Sequence, residues 1–195
     1  MRIINLQEAE QELMQILEQI EKGSIFIYPT DTIYGLGCDA TNPKAVQKLR
    51  DIKGQQDRPF SVISPNIDWI KENCVVTKEA EDWFKKLPGA YTLILKTKGK
   101  NIPKEVNLGQ GTIGIRIPDS WIMGLVMRLG KPIITTSVNK TGEEFMINLD
   151  TLSTDIKSKC DFIIYDNEIN GKPSTIVNLA QEKATIKERP ERKKK

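Results

Sequence analysis

Short runs of β-branched and aromatic residues alternate with helix-length amphipathic segments along nearly the whole chain, and this alternation constrains the fold most. Residues 24–28 (SIFIY), 60–63, 91–96 (YTLILK), 112–117 (TIGIRI), 132–136 (PIITT), 162–165, 175–179 and 185–188 read as strands. Between them, helices are predicted over 6–22, from Asn42-Pro43 to about Ile52, near 67–73, near 78–86, over 121–129 and, weakly, near 149–158. Local chemistry marks their ends: Asn5 offers a cap with Glu8 three places on, Gly23 stops that helix, Pro43 sits at a first helical position, Thr77 caps and Gly130 terminates. Strands separated by helices predict an α/β layer structure. A length of 195 residues can bury one core without disulfides, and no internal repeat or linker divides it. One domain over 1–189 is expected, with 190–195 as a flexible basic tail.

The absence of histidine removes the Ser-His-Asp triad, the Cys-His dyad, histidine general bases and every zinc set that needs one. The three cysteines (Cys38, Cys74, Cys160) lack CxxC spacing, which suits a reducing compartment. No apolar run is long enough to span a membrane and the N-terminus lacks the apolar core of a signal peptide, so a cytoplasmic protein is expected. The net charge of +3 sits in residues 187–195 (KERPERKKK); the other 186 residues carry 23 basic and 24 acidic side chains. A uniformly basic nucleic-acid-binding domain is therefore not indicated.

Several polar segments stand where chemistry could occur. Residues 35–40 (GLGCDA) formally fit a dinucleotide fingerprint, but six residues separate them from the preceding strand and the next helix begins at Asn42-Pro43. No P-loop pattern is present. Residues 29–34 (PTDTIY) place two threonines, a carboxylate and a tyrosine directly after a buried strand; such groups bind ligands or satisfy turn amides. Lys53, Arg58 and a glycine share a loop that either clamps phosphate or is a solvated turn. Thr135, Thr136, Ser137 and Asn139 follow an apolar pair, and Arg116 lies inside a short apolar strand, where it should meet a carboxylate of the protein or of a ligand. This inventory of cations, hydroxyls and an amide suits an anionic, polyphosphate-bearing substrate; Cys38 lacks an activating base and reads as a buried residue.

The ordered blocks YPTDTIYGLGCDA, IKGQQDRPFSV, LPGAYTLIL, TIGIRIPD, ITTSVNKTG and PSTIVNL resemble the YrdC/Sua5 family, the threonylcarbamoyl-AMP synthases, from about Gly23 to Arg189. The resemblance implies a twisted, mixed-strand open sheet with flanking helices and a concave substrate groove. It implies a reaction joining L-threonine, bicarbonate and ATP, with Mg²⁺, into threonylcarbamoyl-adenylate and pyrophosphate. Partner proteins would then transfer the threonylcarbamoyl group to adenosine 37 of tRNA. By the same resemblance Lys53 and Arg58 would act on the phosphates; Thr112, Ser137, Asn139 and Arg189 would bind ATP; and Thr32, Tyr34, Arg116, Thr135 and Ser174 would bind threonine. No metal ligand set is implied.

Where the family places an arginine two residues after the lysine, this chain has Gln55, with Arg58 as the candidate replacement. That departure keeps open a YciO-like branch with an altered ligand or reaction. A third reading is a double-stranded RNA-binding module, to which the Lys-rich tail would add.

Overall fold

A computed structural model of the protein describes residues 1–99 and 102–191; part of the basic tail therefore lies outside the described residues. The strands are β1 (Arg2–Ile4), β2 (Phe26–Tyr28), β3 (Gly35–Gly37), β4 (Ser61–Ile63), β5 (Tyr91–Lys96), β6 (Thr112–Arg116), β7 (Ile133–Ser137), β8 (Phe162–Ile164), β9 (Thr175–Asn178) and β10 (Thr185–Lys187). They form one open, mixed sheet in the order β1-β8-β2-β3-β7-β4-β6-β5-β9-β10. Helices α1 (Leu6–Gln11), α2 (Leu13–Glu21), α3 (Pro43–Lys53), α4 (Ile67–Asn73), α5 (Lys78–Phe84), α6 (Lys104–Asn107), α7 (Ile122–Leu129) and α8 (Thr154–Lys159) flank it. No helix among the described residues is long and apolar enough to cross a membrane.

The capping chemistry acts as its residue types dictate. The Asn5 side chain accepts from the Glu8 N–H while the Glu8 carboxylate accepts from the Asn5 N–H. Asn42 accepts from Lys44 and Ala45 with Pro43 behind it, and Gly54 ends α3 in the left-handed conformation. The single helix predicted over 6–22 is instead two, because Glu12 leaves helical geometry between α1 and α2 (φ −102°, ψ 16°).

Pleating divides the sheet into two unlike faces. One packs Leu36, Val62, Leu93, Ile113, Ile115, Ile134 and Val177 against Val46, Leu49, Ile70 and Ile156 of the helices. On the other face, α2 and α7 cover β2 and β8, burying Ile16, Ile20, Leu125 and Val126 with Phe26, Tyr28 and Phe162. Further across that second face the apolar side chains give way to glycine, serine and threonine.

The GLG sequence belongs to this geometry. It forms β3, pairing Phe26 with Gly37 and Tyr28 with Gly35. A Cβ on Gly35 would lie 2.7 Å from the Tyr28 ring, and one on Gly37 would lie 2.5 Å from the Ile134 carbonyl oxygen. The glycines admit the Tyr28 ring against the backbone, so they have a packing role and no helix follows them directly.

Candidate functional site

The open part of the second face is the floor of a groove of about 380 Å³. Strand register places its residues in a row: Gly35 opposite Ser137, Ser61 opposite both Thr135 and Gly114, and Thr92 opposite Ile176. Period-two alternation explains the row. In β6 the isoleucines at 113 and 115 enter the core while Gly114 and Arg116 face the other way. Small side chains leave the volume in which a ligand could sit.

Four cations line this floor and rim: Lys53, Arg58, Arg116 and Arg189, and among the described residues no carboxylate lines it. Lys53 ends α3 and is 3% exposed. Its Nζ donates to the Ser137 carbonyl (2.6 Å), Asn139 Oδ1 (2.7 Å) and the Asn139 carbonyl (2.8 Å), and Ser137 Oγ lies 3.2 Å away. Burial pulls the ammonium down to about 7, with Glu143 acting in the opposite direction. Lys53, Ser137 and Asn139, expected to share a site, are thus one hydrogen-bonded cluster. Arg58 is exposed on the loop after α3 and lines the groove. Gln55 also lines it, and its amide reaches back to the Arg58 and Pro59 carbonyls at 3.3 and 3.5 Å.

Arg116 meets a protein carboxylate, as its sequence setting required: Nη2 lies 2.7 Å from Asp31 Oδ1. Its Nε is buried without a partner among the described residues. Arg189 donates from Nε to the Ser174 carbonyl (2.8 Å) and from Nη2 to Ser174 Oγ (2.7 Å), and that hydroxyl lies 2.7 Å from Thr92 Oγ1. Desolvation and then the nearby positive charge of Arg116 lower Arg189 to about 10. Two cations that repel each other across one groove favour an anion between them.

Tyr34 lines the groove, and its hydroxyl donates to the Asn167 carbonyl (2.7 Å) and accepts from the Asp166 N–H (3.0 Å). Thr135 also lines the wall. Thr32 and Ser174 lie one layer behind it, buried and hydrogen-bonded to Thr30 and Arg189 respectively. Thr112 does not itself line the groove: it opens β6 opposite Lys96, at the far end of the strand from Arg116 but on the same face as Gly114. Four residues of extended chain, about 13 Å, separate those ends. Cys38 is fully buried, and desolvation raises its thiol far above the ordinary range, which removes it as a nucleophile.

Sequence reasoning passed over Ser61 and Thr92, whose positions inside apolar strands disguise them, and Arg50, which is nearly inaccessible. The alternation of FSV and YTL carried the only signal for the first two.

Fold and groove together define an α/β protein with a cleft lined by cations and hydroxyls, a lining that suits an anionic ligand. The chain belongs to the Sua5/YciO/YrdC family, whose profile, described as telomere recombination, matches residues 18–189. A protein of Methanocaldococcus jannaschii with the provisional name threonylcarbamoyl-AMP synthase is 35% identical over 190 residues, covering 93% of this chain and 89% of that one. The uncharacterized protein YciO of Escherichia coli is 28% identical over 177 residues, covering 88% and 85%. Among solved structures, P. abyssi Sua5 complexed with L-threonine superimposes with a TM-score of 0.85 at 25% identity. That match covers 95% of this chain but only 56% of the Sua5 chain. The E. coli YciO structure gives 0.83 at 26% identity, covering 96% and 93%.

Proposed function

We propose that the protein is an L-threonylcarbamoyladenylate synthase serving threonylcarbamoyl modification of tRNA adenosine 37. The observation that carries this reading is the groove itself, in which four cations surround small polar residues and, among the described residues, no lining carboxylate opposes them. Family membership and the L-threonine complex of the Sua5 relative support the choice of substrates.

In this reading the threonine amine adds to bicarbonate-derived CO₂, and an oxygen of the carbamate attacks the α-phosphorus of ATP as pyrophosphate leaves. Such a transfer depends on in-line positioning and on neutralising charge that builds on the leaving phosphates. Lys53 and Arg58 supply that charge, and Ser137 and Asn139 hold Lys53 in place and offer contacts to the nucleotide. Arg189 reaches the nucleotide from the opposite wall. Arg116 pairs with the threonine carboxylate, for which its unpartnered Nε is one available donor. Tyr34 and Thr135 shape the threonine pocket, with Thr32 and Ser174 supporting it from behind. Thr112, on the strand that pairs with β4 just after the Arg58 loop, offers a hydroxyl to the nucleotide. No cluster of three or more metal-ligating side chains occurs among the described residues. Mg²⁺ would enter with the triphosphate as part of the substrate.

A second reading, a YciO-like protein with an altered ligand or reaction, is favoured by Gln55, which contributes an amide where the family has a cation. Thermal stabilisation separates the two. Under the synthase reading ATP and L-threonine each raise the melting temperature; stabilisation by ATP with none by threonine selects the altered branch. Residues 192–195 of the Lys-rich tail, which would add to an RNA-binding surface, lie outside the described residues. Under the RNA-binding reading RNA affinity falls steeply with salt and with deletion of 190–195.

A further inference from the structure

We propose that Arg50 is a positioning residue for the nucleotide, holding the loop at 55–59 so that Arg58 faces the groove. The inference rests on the reading above, in which Arg58 contacts phosphate. Arg50 is 1% exposed, among the largest fully buried side chains of the protein. Among the described residues no carboxylate stands within ion-pair distance of it; the guanidinium is instead ringed by backbone oxygens. Nη1 donates to the carbonyls of Gln55 and Arg58, both at 2.8 Å. Nε donates to Glu105 (2.7 Å) and Nη2 to Val106 (3.1 Å) at α6. The Val106 oxygen also accepts the Phe60 N–H at 2.9 Å, and the guanidinium carbon lies 4.4 Å from the Phe60 ring centroid.

One planar group therefore spans both ends of the cation loop and anchors them to α6. The loop's other side-chain ties are exposed, such as Gln56 Nε2 to Asp51 Oδ1 (3.0 Å), or long, such as Gln55 Nε2 to Arg58 (3.3 Å). Water competes well with contacts of that kind, whereas a buried charge-assisted bond to a carbonyl is hard to replace. A lysine, with its donors on one atom, cannot bridge the two pairs of carbonyls. Threonine's expected contacts at Arg116, Tyr34 and Thr135 come from other segments, so the effect of Arg50 should fall on ATP.

The test uses calorimetric affinities of the full chain for ATP and for L-threonine in wild type, Arg50→Gln, Arg58→Ala and the double variant. Arg50→Gln is expected to weaken ATP about tenfold or more while leaving threonine within about twofold, as loss of charge-assisted phosphate contacts predicts. In the Arg58→Ala background the same change should cost under about threefold, because Arg50 acts through Arg58. Equal losses for ATP and threonine, an undiminished effect in the Arg58→Ala background, or unchanged ATP affinity would each overturn the proposal. If wild type itself fails to bind ATP, the functional reading falls and this inference with it, an outcome distinct from a silent Arg50→Gln. Should Arg50→Gln not fold, Arg50→Lys, which keeps the buried charge and stem, decides by the same comparisons.

Discussion

Arg116 and Asp31 join two segments 85 residues apart through a 2.7 Å ion pair whose side chains are only 6% and 13% exposed. Asp31 Oδ2 also accepts the Asp119 N–H at 3.2 Å, so one carboxylate fixes the direction of Arg116 and the start of the chain beyond β6. Removing one partner of such a pair leaves a buried charge uncompensated. Asp31→Asn should lower stability by about 3 kcal/mol in urea unfolding. The double variant with Arg116→Met should cost less than the sum of the singles, and strict additivity would show that the pair is energetically idle.

Lys53 gives the site its pH dependence. Its ammonium, brought down to about 7 by burial, loses its proton across the neutral range. A triphosphate needs the charged form, so ATP affinity should fall as pH rises from 6 to 9 by more than in Lys53→Met. That variant should bind weakly at every pH, and subtracting its profile removes the titration of ATP itself. Parallel profiles would show that Lys53 does not titrate in this window. The same depression has a stability sign. Between about 7 and the usual lysine value the unfolded chain holds the extra proton, so the Lys53 contribution favours folding increasingly as pH rises there.

The loop after α3 offers a gain-of-function test. Among the described residues the Gln55 amide makes only long contacts, 3.3 and 3.5 Å, to carbonyls of its own loop, so replacing it costs little. Gln55→Arg should tighten ATP several-fold, and Arg58→Ala should weaken it about tenfold or more, as for charge-assisted bonds to phosphate. Neither should alter threonine affinity. An Arg58→Ala protein with wild-type ATP affinity would remove Arg58 from the site.

Gly35 and Gly37 should resist substitution for packing reasons. Gly37→Ala drives its Cβ into a backbone oxygen, the Ile134 carbonyl, whereas Gly35→Ala meets only the Tyr28 ring. Overpacking of this kind costs roughly 1–3 kcal/mol, with Gly37→Ala the worse because backbone must move. Urea midpoints within error of wild type for both would refute the packing account of this strand.

That pair also shows what the sequence could and could not convey. Periodicity and caps located α3, α7, β5, β6 and β7 closely because each has an apolar alternation or a strong terminus of its own. Two strands were invisible. β1 is three residues at the N-terminus and exists through parallel pairing with β8, while β3 consists of glycines and a leucine whose strand state comes from its neighbours. The break between α1 and α2 at Glu12 and the short helix α6 likewise follow from tertiary contacts rather than local propensity. At the site, cations in loops and apolar strands were conspicuous, so Lys53, Arg58 and Arg116 stood out. Arg50 looked like an ordinary helix-surface arginine, since nothing in its own helix signals that carbonyls of the following loop and of α6 surround it. Thr112 was carried by resemblance alone, and it opens β6 without itself lining the groove.

The central claim is tested most directly by pyrophosphate release from ATP and Mg²⁺ with bicarbonate and L-threonine supplied separately and together. Under the account, release appears only when threonine and bicarbonate are both present, and Lys53→Ala abolishes it. Folded protein that binds ATP yet releases no pyrophosphate in a threonine-dependent manner would contradict the synthase assignment.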